Sequence, residues 1–255
     1  MASSAVPPNH SDGSKHRKHY LPLESNPDVF TQLIHRLGVS KNLVFQDVYS
    51  LDDPDLLSFI PRPALALVLV FPTATETYEK EKAAREAARE EYHGKGEEED
   101  VVWYRQTINN ACGLYGILHA VSNGPAHLFI EPESLLSRIL TKCIPLAPTE
   151  RALALEDSEE LEHAHHAAAV QGDSVVPQSA EDDVDYHYVC FVKSHKNGHL
   201  YEMDGSSKGP IDRGALANDE DVLGEMAVSV VKEYLGREED GNVGFSLMVL
   251  VQDGA

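Results

Sequence analysis

One cysteine, at position 112, sits in the stretch QTINNACGLYGILHA (residues 106–120), after two asparagines and before a run that is apolar nearly all round. That pattern reads as the start of a helix buried in the middle of a domain, with Asn109 or Asn110 as its cap. A thiol in a first helical turn meets orphan amide groups and the positive end of the helix dipole, and both favour the thiolate, the form that attacks carbonyls. Gly113 and Gly116 read as residues that keep the approach to the sulfur clear. The competing reading is an inert buried cysteine, the commoner fate of a free thiol.

A cysteine nucleophile needs a base, and the chain offers thirteen histidines. His119 is nearest in sequence, but seven residues along a helix is ~10 Å of rise, too far for a hydrogen bond. His163, His165 and His166 fall in a polar stretch with no matching ligands elsewhere, which reads as a solvated loop and not a metal site. His187 differs: it lies within DYHYVCFVK, a strand apolar on both sides, where an imidazole must find a partner or cost free energy. The segment YVCFVKSHKNGHLYEMDG reads as a hairpin. Pairing Lys193 with Gly198 sets His187 directly opposite Asp204, close enough for the carboxylate to hold the imidazole in one tautomer. A two-residue Asn197-Gly198 turn would instead set His187 opposite Lys208, and the sequence leaves both registers open. Gln106, six residues before Cys112, has the side-chain amide that acyl transfer requires at a developing oxyanion.

The elements around these residues indicate an α/β (α+β) domain, a sheet with helices packed around it. Asn26 caps a helix that begins at Pro27, buries Val29, Leu33, Ile34 and Leu37, and stops at Gly38. LVFQDVY (43–49) and LALVLVF (65–71) read as strands, the second buried on both faces. ETYEKEKAAREAAREEY (76–92) reads as a surface helix laced with Glu/Lys/Arg pairs. Helices follow at about 132–140 and from Pro148 to about 157, then an irregular polar stretch from about 158 to 184. A hairpin, a helix over DEDVLGEMAVSVVKEYL and a buried strand GFSLMVLV complete the chain. Residues 1–19, Ser/Pro/His-rich with the basic cluster KHRKH, read as a disordered extension, and residues 20–255 as the folded domain.

Composition narrows the partners. The chain has 255 residues, with 42 acidic against 21 basic side chains and a formal net charge of −21. That argues against nucleic acid, whose binding runs on Lys/Arg, and favours a basic partner. Three cysteines without CxxC spacing suit a reducing compartment, hence a cytoplasmic protein with the nucleus as a second address for the basic tail. No apolar run approaches a membrane span.

At LPLESNPDVF, DVYSLDDPDLLSFIPRPALALVLVFP, QTINNACGLYGILHA and GHLYEMDG the chain resembles the ubiquitin C-terminal hydrolases, in the family's order and over nearly the whole domain. The resemblance implies a papain-like cysteine protease architecture with a central, mostly antiparallel sheet and a knotted backbone. It implies Cys112 as nucleophile, His187 as general base and acid, Asp204 as its orienter and Gln106 as oxyanion donor, with no metal or cofactor. Asn110 matches as well, as a cap or support. The stretch 158–184 takes the position of the family's crossover loop, which limits leaving groups to small or unfolded adducts. Ubiquitin becomes the basic partner, NEDD8-like modifiers a related one, and Glu24 and Asp28 candidate contacts for its tail. The enzyme is expected to act as a monomer. A binding module without turnover and a general papain-type protease are the competing readings.

Overall fold

The computed structural model describes residues 16–73, 76–172, 186–236 and 244–254. Its centre is a six-stranded antiparallel sheet in the order β1-β6-β2-β3-β4-β5. The strands are β1 (Leu43–Asp47), β2 (Ala66–Pro72), β3 (Tyr186–Lys193), β4 (His199–Met203), β5 (Ile211–Ala215) and β6 (Ser246–Gln252). Period-two alternation splits β2 between two cores: Ala66, Val68 and Val70 face one, Leu67, Leu69 and Phe71 the other. Both faces are covered, so the continuous apolar run that β2 shows in the sequence is what its position demands.

The larger core is built by α1 (Pro27–Leu37), α4 (Cys112–Ser122), α5 (Leu135–Cys143), α6 (Pro148–Glu156) and α7 (Glu159–Ala169); α2 (Pro54–Ser58) and α3 (Glu76–Ala87) fall between α1 and α4 in the chain. The smaller core lies under α8 (Glu225–Leu235). Helix α1 matches its sequence signals: the Asn26 side chain accepts from the Asp28 amide at 2.9 Å, and Gly38 ends the helix with φ 91°.

Two expectations change. The stretch read as irregular from 158 is helical over its first half, because Ser158 caps it and Glu159, Glu160 and Glu162 complement its dipole. Its buried face is Leu161, His165, Ala168 and Ala169, a single large apolar residue among small and polar ones, too little to mark a helical stripe in the sequence. Residues 173–184 of that stretch lie outside the described residues. Of the tail, residues 1–15 lie outside them too, but 16–19 are laid against the domain. His19 bridges to Asn109, the Asn109 amide donates to the Lys18 carbonyl (3.0 Å), and Arg17 and Lys18 pair with Glu156 and Glu162 on α6 and α7. The basic cluster is a strap, held because its charges meet carboxylates. Among the described residues, no helix is long and apolar enough to cross a membrane.

Candidate active site

Cys112 is the first residue of α4, and all of α4 is buried. Neither asparagine caps it. Ala111 holds the cap position without a side-chain bond, because Asn110 is used for a left-handed turn at φ 56°, a conformation asparagine tolerates. The helix pushes close to the sheet through its glycines. A Cβ on Gly113 would lie 3.2 Å from Leu23 and 3.5 Å from Tyr188, and one on Gly116 would lie 3.4 Å from Val68. These glycines seat the helix; they do not open a path to the sulfur.

His187 lies near the start of β3, opposite Phe71 of β2, whose ring meets it edge-on at 6.0 Å. The β3–β4 hairpin takes neither register that the turn suggests. Cys190 pairs with Met203 and Lys193 with Leu200, and the Ser194 amide closes the loop onto the His199 carbonyl at 2.8 Å. The loop is therefore 195–198, with Gly198 at φ 74°, and the register is shifted by two residues from the one that faces His187 with Asp204. An even shift keeps both side chains on one face. Strand β4 ends at Met203, the chain turns, and His187 Nε2 reaches Asp204 Oδ1 at 2.8 Å. A carboxylate only accepts, so Nε2 carries the proton. Cys112 acts on the same imidazole and, after Asp204, favours its charged form.

Asp204 is 1% exposed and well held. The Ser206 amide (2.8 Å) and hydroxyl (2.7 Å) donate to Oδ1, and the Ser207 hydroxyl (3.1 Å) donates to Oδ2. The Trp103 indole donates to its carbonyl at 3.1 Å. Burial alone would raise its pKa, but His187 first and then Lys82 and Ser206 hold it well below the usual carboxylate range. For His187 the balance runs the other way. Burial opposes its charge, yet Asp204, and then Cys112, push its pKa up to about 10.

Gln106 belongs to an extended segment laid on the turn after β4. Its amide donates to the Gly205 carbonyl at 2.8 Å, and a Cβ at Gly205 would sit 3.0 Å from the Gln106 Cβ. The Gln106 Nε2 donates to the Ile108 carbonyl at 3.2 Å, and its Oε1 is buried without a partner. Glu24 and Asp28 are not part of this chain of bonds. Glu24 packs on Gly172 after α7, in a segment whose Leu23 carbonyl accepts from the Tyr188 hydroxyl at 3.0 Å. Asp28 is exposed in the first turn of α1, near enough to Asp47 to raise the latter's pKa, after burial as the main cause.

Three contributors escape the sequence reading. His119 is fully buried and takes the Tyr104 amide on Nε2 at 3.0 Å, which fixes the segment leading to Gln106; burial pushes its pKa down to about 4. Ser206 braces Asp204, and Lys82 of α3 donates to the Ser206 hydroxyl at 2.7 Å. His119 had a signal, its place seven residues after Cys112 on a buried helix, whereas Lys82 had none.

An α+β domain that brings a thiol to an imidazole bonded to a buried carboxylate has the parts of a thiol-dependent hydrolase. The family model described as "Ubiquitin carboxyl-terminal hydrolase, family 1" matches residues 20–236, and the chain belongs to that family of deubiquitinating cysteine hydrolases. Among its relatives, ubiquitin carboxyl-terminal hydrolase 3 of Arabidopsis thaliana is 34% identical over 238 residues, 93% of this chain and 96% of that one. The isozyme L1 of Homo sapiens is 35% identical over 229 residues, 90% and 96% of the two chains. Among solved structures, the catalytic domain of Trichinella spiralis UCH37 bound to ubiquitin vinyl methyl ester superposes with a TM-score of 0.72 at 25% identity, over 94% of this chain and 99% of that one.

Proposed function

We propose that this enzyme hydrolyses the bond after the C-terminal glycine of ubiquitin, using Cys112, His187, Asp204 and Gln106. The observation that carries the reading is the His187 imidazole, bonded to Asp204 at 2.8 Å and acted on by Cys112 as well. A proton shared between sulfur and imidazole yields a thiolate and an imidazolium, the latter stabilised by Asp204. The sulfur attacks the glycine carbonyl, and the oxyanion that forms takes the Gln106 amide, which turns away from the Ile108 carbonyl to meet it. The imidazolium protonates the leaving amine as the C–N bond breaks. The thioester then loses its acyl group to a water that gives its proton to His187.

Ubiquitin as the partner is supported by the ubiquitin vinyl methyl ester bound to the Trichinella relative and by the acidic balance of this chain. Glu24, Asp28 and Asp47 would line the approach of a basic tail. The stretch 158–184, in the position of the family's crossover loop, then limits leaving groups to small or unfolded adducts, and a NEDD8-like modifier is the natural second substrate to assay.

The test is intact mass after mixing the enzyme with ubiquitin carrying a C-terminal electrophile, beside Cys112→Ala and a tail-truncated probe. One adduct on the native enzyme and none in either control is expected. Bound ubiquitin without an adduct would leave a binding module; equal labelling by a truncated probe would leave a protease without tail selectivity.

A further inference from the structure

Behind the imidazole–carboxylate pair, α3 brings a cation that the chemistry just described does not use. Lys82 Nζ donates to the Ser206 hydroxyl at 2.7 Å and stands 3.9 Å from Asp204 Oδ2. Ser206 in turn donates to Asp204 Oδ1 at 2.7 Å and lies 3.3 Å from His187 Nε2. A hydroxyl has one proton. With Lys82 donating to its oxygen, the Ser206 proton is directed to Asp204, so the lysine fixes the hydroxyl as well as adding charge. Asp204 is therefore shared between two cations, His187 on β3 and Lys82 on α3.

Other charged or titratable groups face this pair. Arg85 of α3 acts on Asp204 but is itself paired with buried Glu202 at 2.9 Å. His119 of α4 also feels Asp204 and is held uncharged by burial. Cys112 of α4 acts on His187 as well.

We infer that Lys82 is a positioning residue that tempers the hold of Asp204 on His187, so that the imidazole can release its proton and serve as a base in the second half of the reaction. The inference rests on the roles proposed above for Cys112, His187 and Asp204. In deacylation a water oxygen bonds to the thioester carbon, its proton passes to neutral His187, and the C–S bond breaks to return the Cys112 thiolate. An imidazole held too firmly in its charged form cannot take that proton. Lys82, a like charge on the far side of Asp204, opposes the imidazolium and keeps the neutral form within reach.

The experiment uses the full chain with ubiquitin bearing a C-terminal coumarin amide, and measures kcat and KM across pH for native enzyme, Lys82→Met, Lys82→Arg and Ser206→Ala. In Lys82→Met, the alkaline limb of kcat/KM should move up by about half to one pH unit, and kcat at neutral pH should fall about three- to tenfold with KM falling in parallel as acyl-enzyme accumulates. Lys82→Arg should restore both, and Ser206→Ala should give a smaller shift of the same sign. A Lys82→Met loss that is equal at every pH, with the limb unmoved, overturns the inference and leaves Lys82 a structural tether. Should Lys82→Met fail to fold, Ser206→Ala carries the test, and an unmoved limb there overturns it equally. Labelling of native enzyme by the ubiquitin electrophile is run alongside. Its absence would count against the proposed site as a whole, whereas labelling with unmoved limbs counts against Lys82 alone.

Discussion

His187 and His165 are both withdrawn from water, and their chemistry diverges completely. Burial pushes the pKa of His165 down to about 4, while that of His187 rises to about 10 despite burial. His165, on α7, meets the Leu21 carbonyl (2.8 Å to Nε2) and the ring of Tyr20, and its buried Nδ1 has no hydrogen-bond partner among the described residues. His187 has Asp204 on Nε2, and Cys112 acts on the same ring. A carbonyl dipole holds a neutral imidazole in place; a carboxylate makes it a cation. The first region ties the N-terminal strap to a helix, and the second can move a proton.

The largest effect comes from erasing that difference. Asp204→Asn keeps the side chain's shape and removes its charge, so His187 loses its main electrostatic support and should titrate far below about 10. Turnover of ubiquitin amide should drop about 10³–10⁴-fold, the scale on which an imidazole loses its orienting carboxylate. Steady-state rates and an NMR titration of the His187 ring check this together. A loss under tenfold would mean that Asp204 does not orient the base.

A smaller effect separates two carboxylates on neighbouring positions of one face. Glu202 lies two residues before Asp204 and is fully buried, but it is spent on Arg85 (2.9 Å), Arg213 (3.3 Å) and the Tyr234 hydroxyl. Its charge is fixed by groups that do not give up protons near neutrality. Glu202→Gln should therefore cost about 3 kcal/mol of folding stability, at the low end for a broken buried pair because both arginines keep some contact with water. Denaturant unfolding measures the loss. The folded fraction should retain the native alkaline limb, which ties the proton chemistry to Asp204 and not to burial of any carboxylate.

How much of this was legible follows from what carried each signal. Helix α1 announced its cap, its apolar face and its glycine stop, and β2 its two buried faces, because apolar side chains did the packing. The pairing of His187 with Asp204 was readable as a hairpin with compatible parity, although the turn left the register two residues adrift. Helix α7 was missed because its buried stripe is one leucine, one histidine and two alanines. The role of α3 was missed for a stronger reason. It reads as a solvated helix, yet Lys82, Arg85 and Glu86 on it, with Arg89 just past its end, form a docking face bonded to Ser206, Glu202, the Lys208 amide and the Gly209 and Pro210 carbonyls. Periodicity in hydrophobicity cannot reveal an interface made of charges. The strap at 16–19 hid likewise, since a basic cluster looks the same in water as against carboxylates.

The smallest effect sharpens the neutral side of the comparison. A histidine whose folded pKa lies below its unfolded value, here about 4 against 6.5, stabilises the fold above about pH 6.5 and loses that contribution as pH falls toward 4. His165 should thus cost the enzyme about 1 kcal/mol between pH 7.5 and 5.5, since protonation is taken up on unfolding across that window. His165→Gln retains a donor for the Leu21 carbonyl and does not titrate. Its stability should fall less than that of the native chain over the same interval, by about that amount, in urea unfolding at the two pH values. The opposite sign would mean that His165 is charged in the folded state, paired with a carboxylate as His187 is. Equal slopes would mean that α7 and the strap open before global unfolding, so that the imidazole already meets water in the folded ensemble.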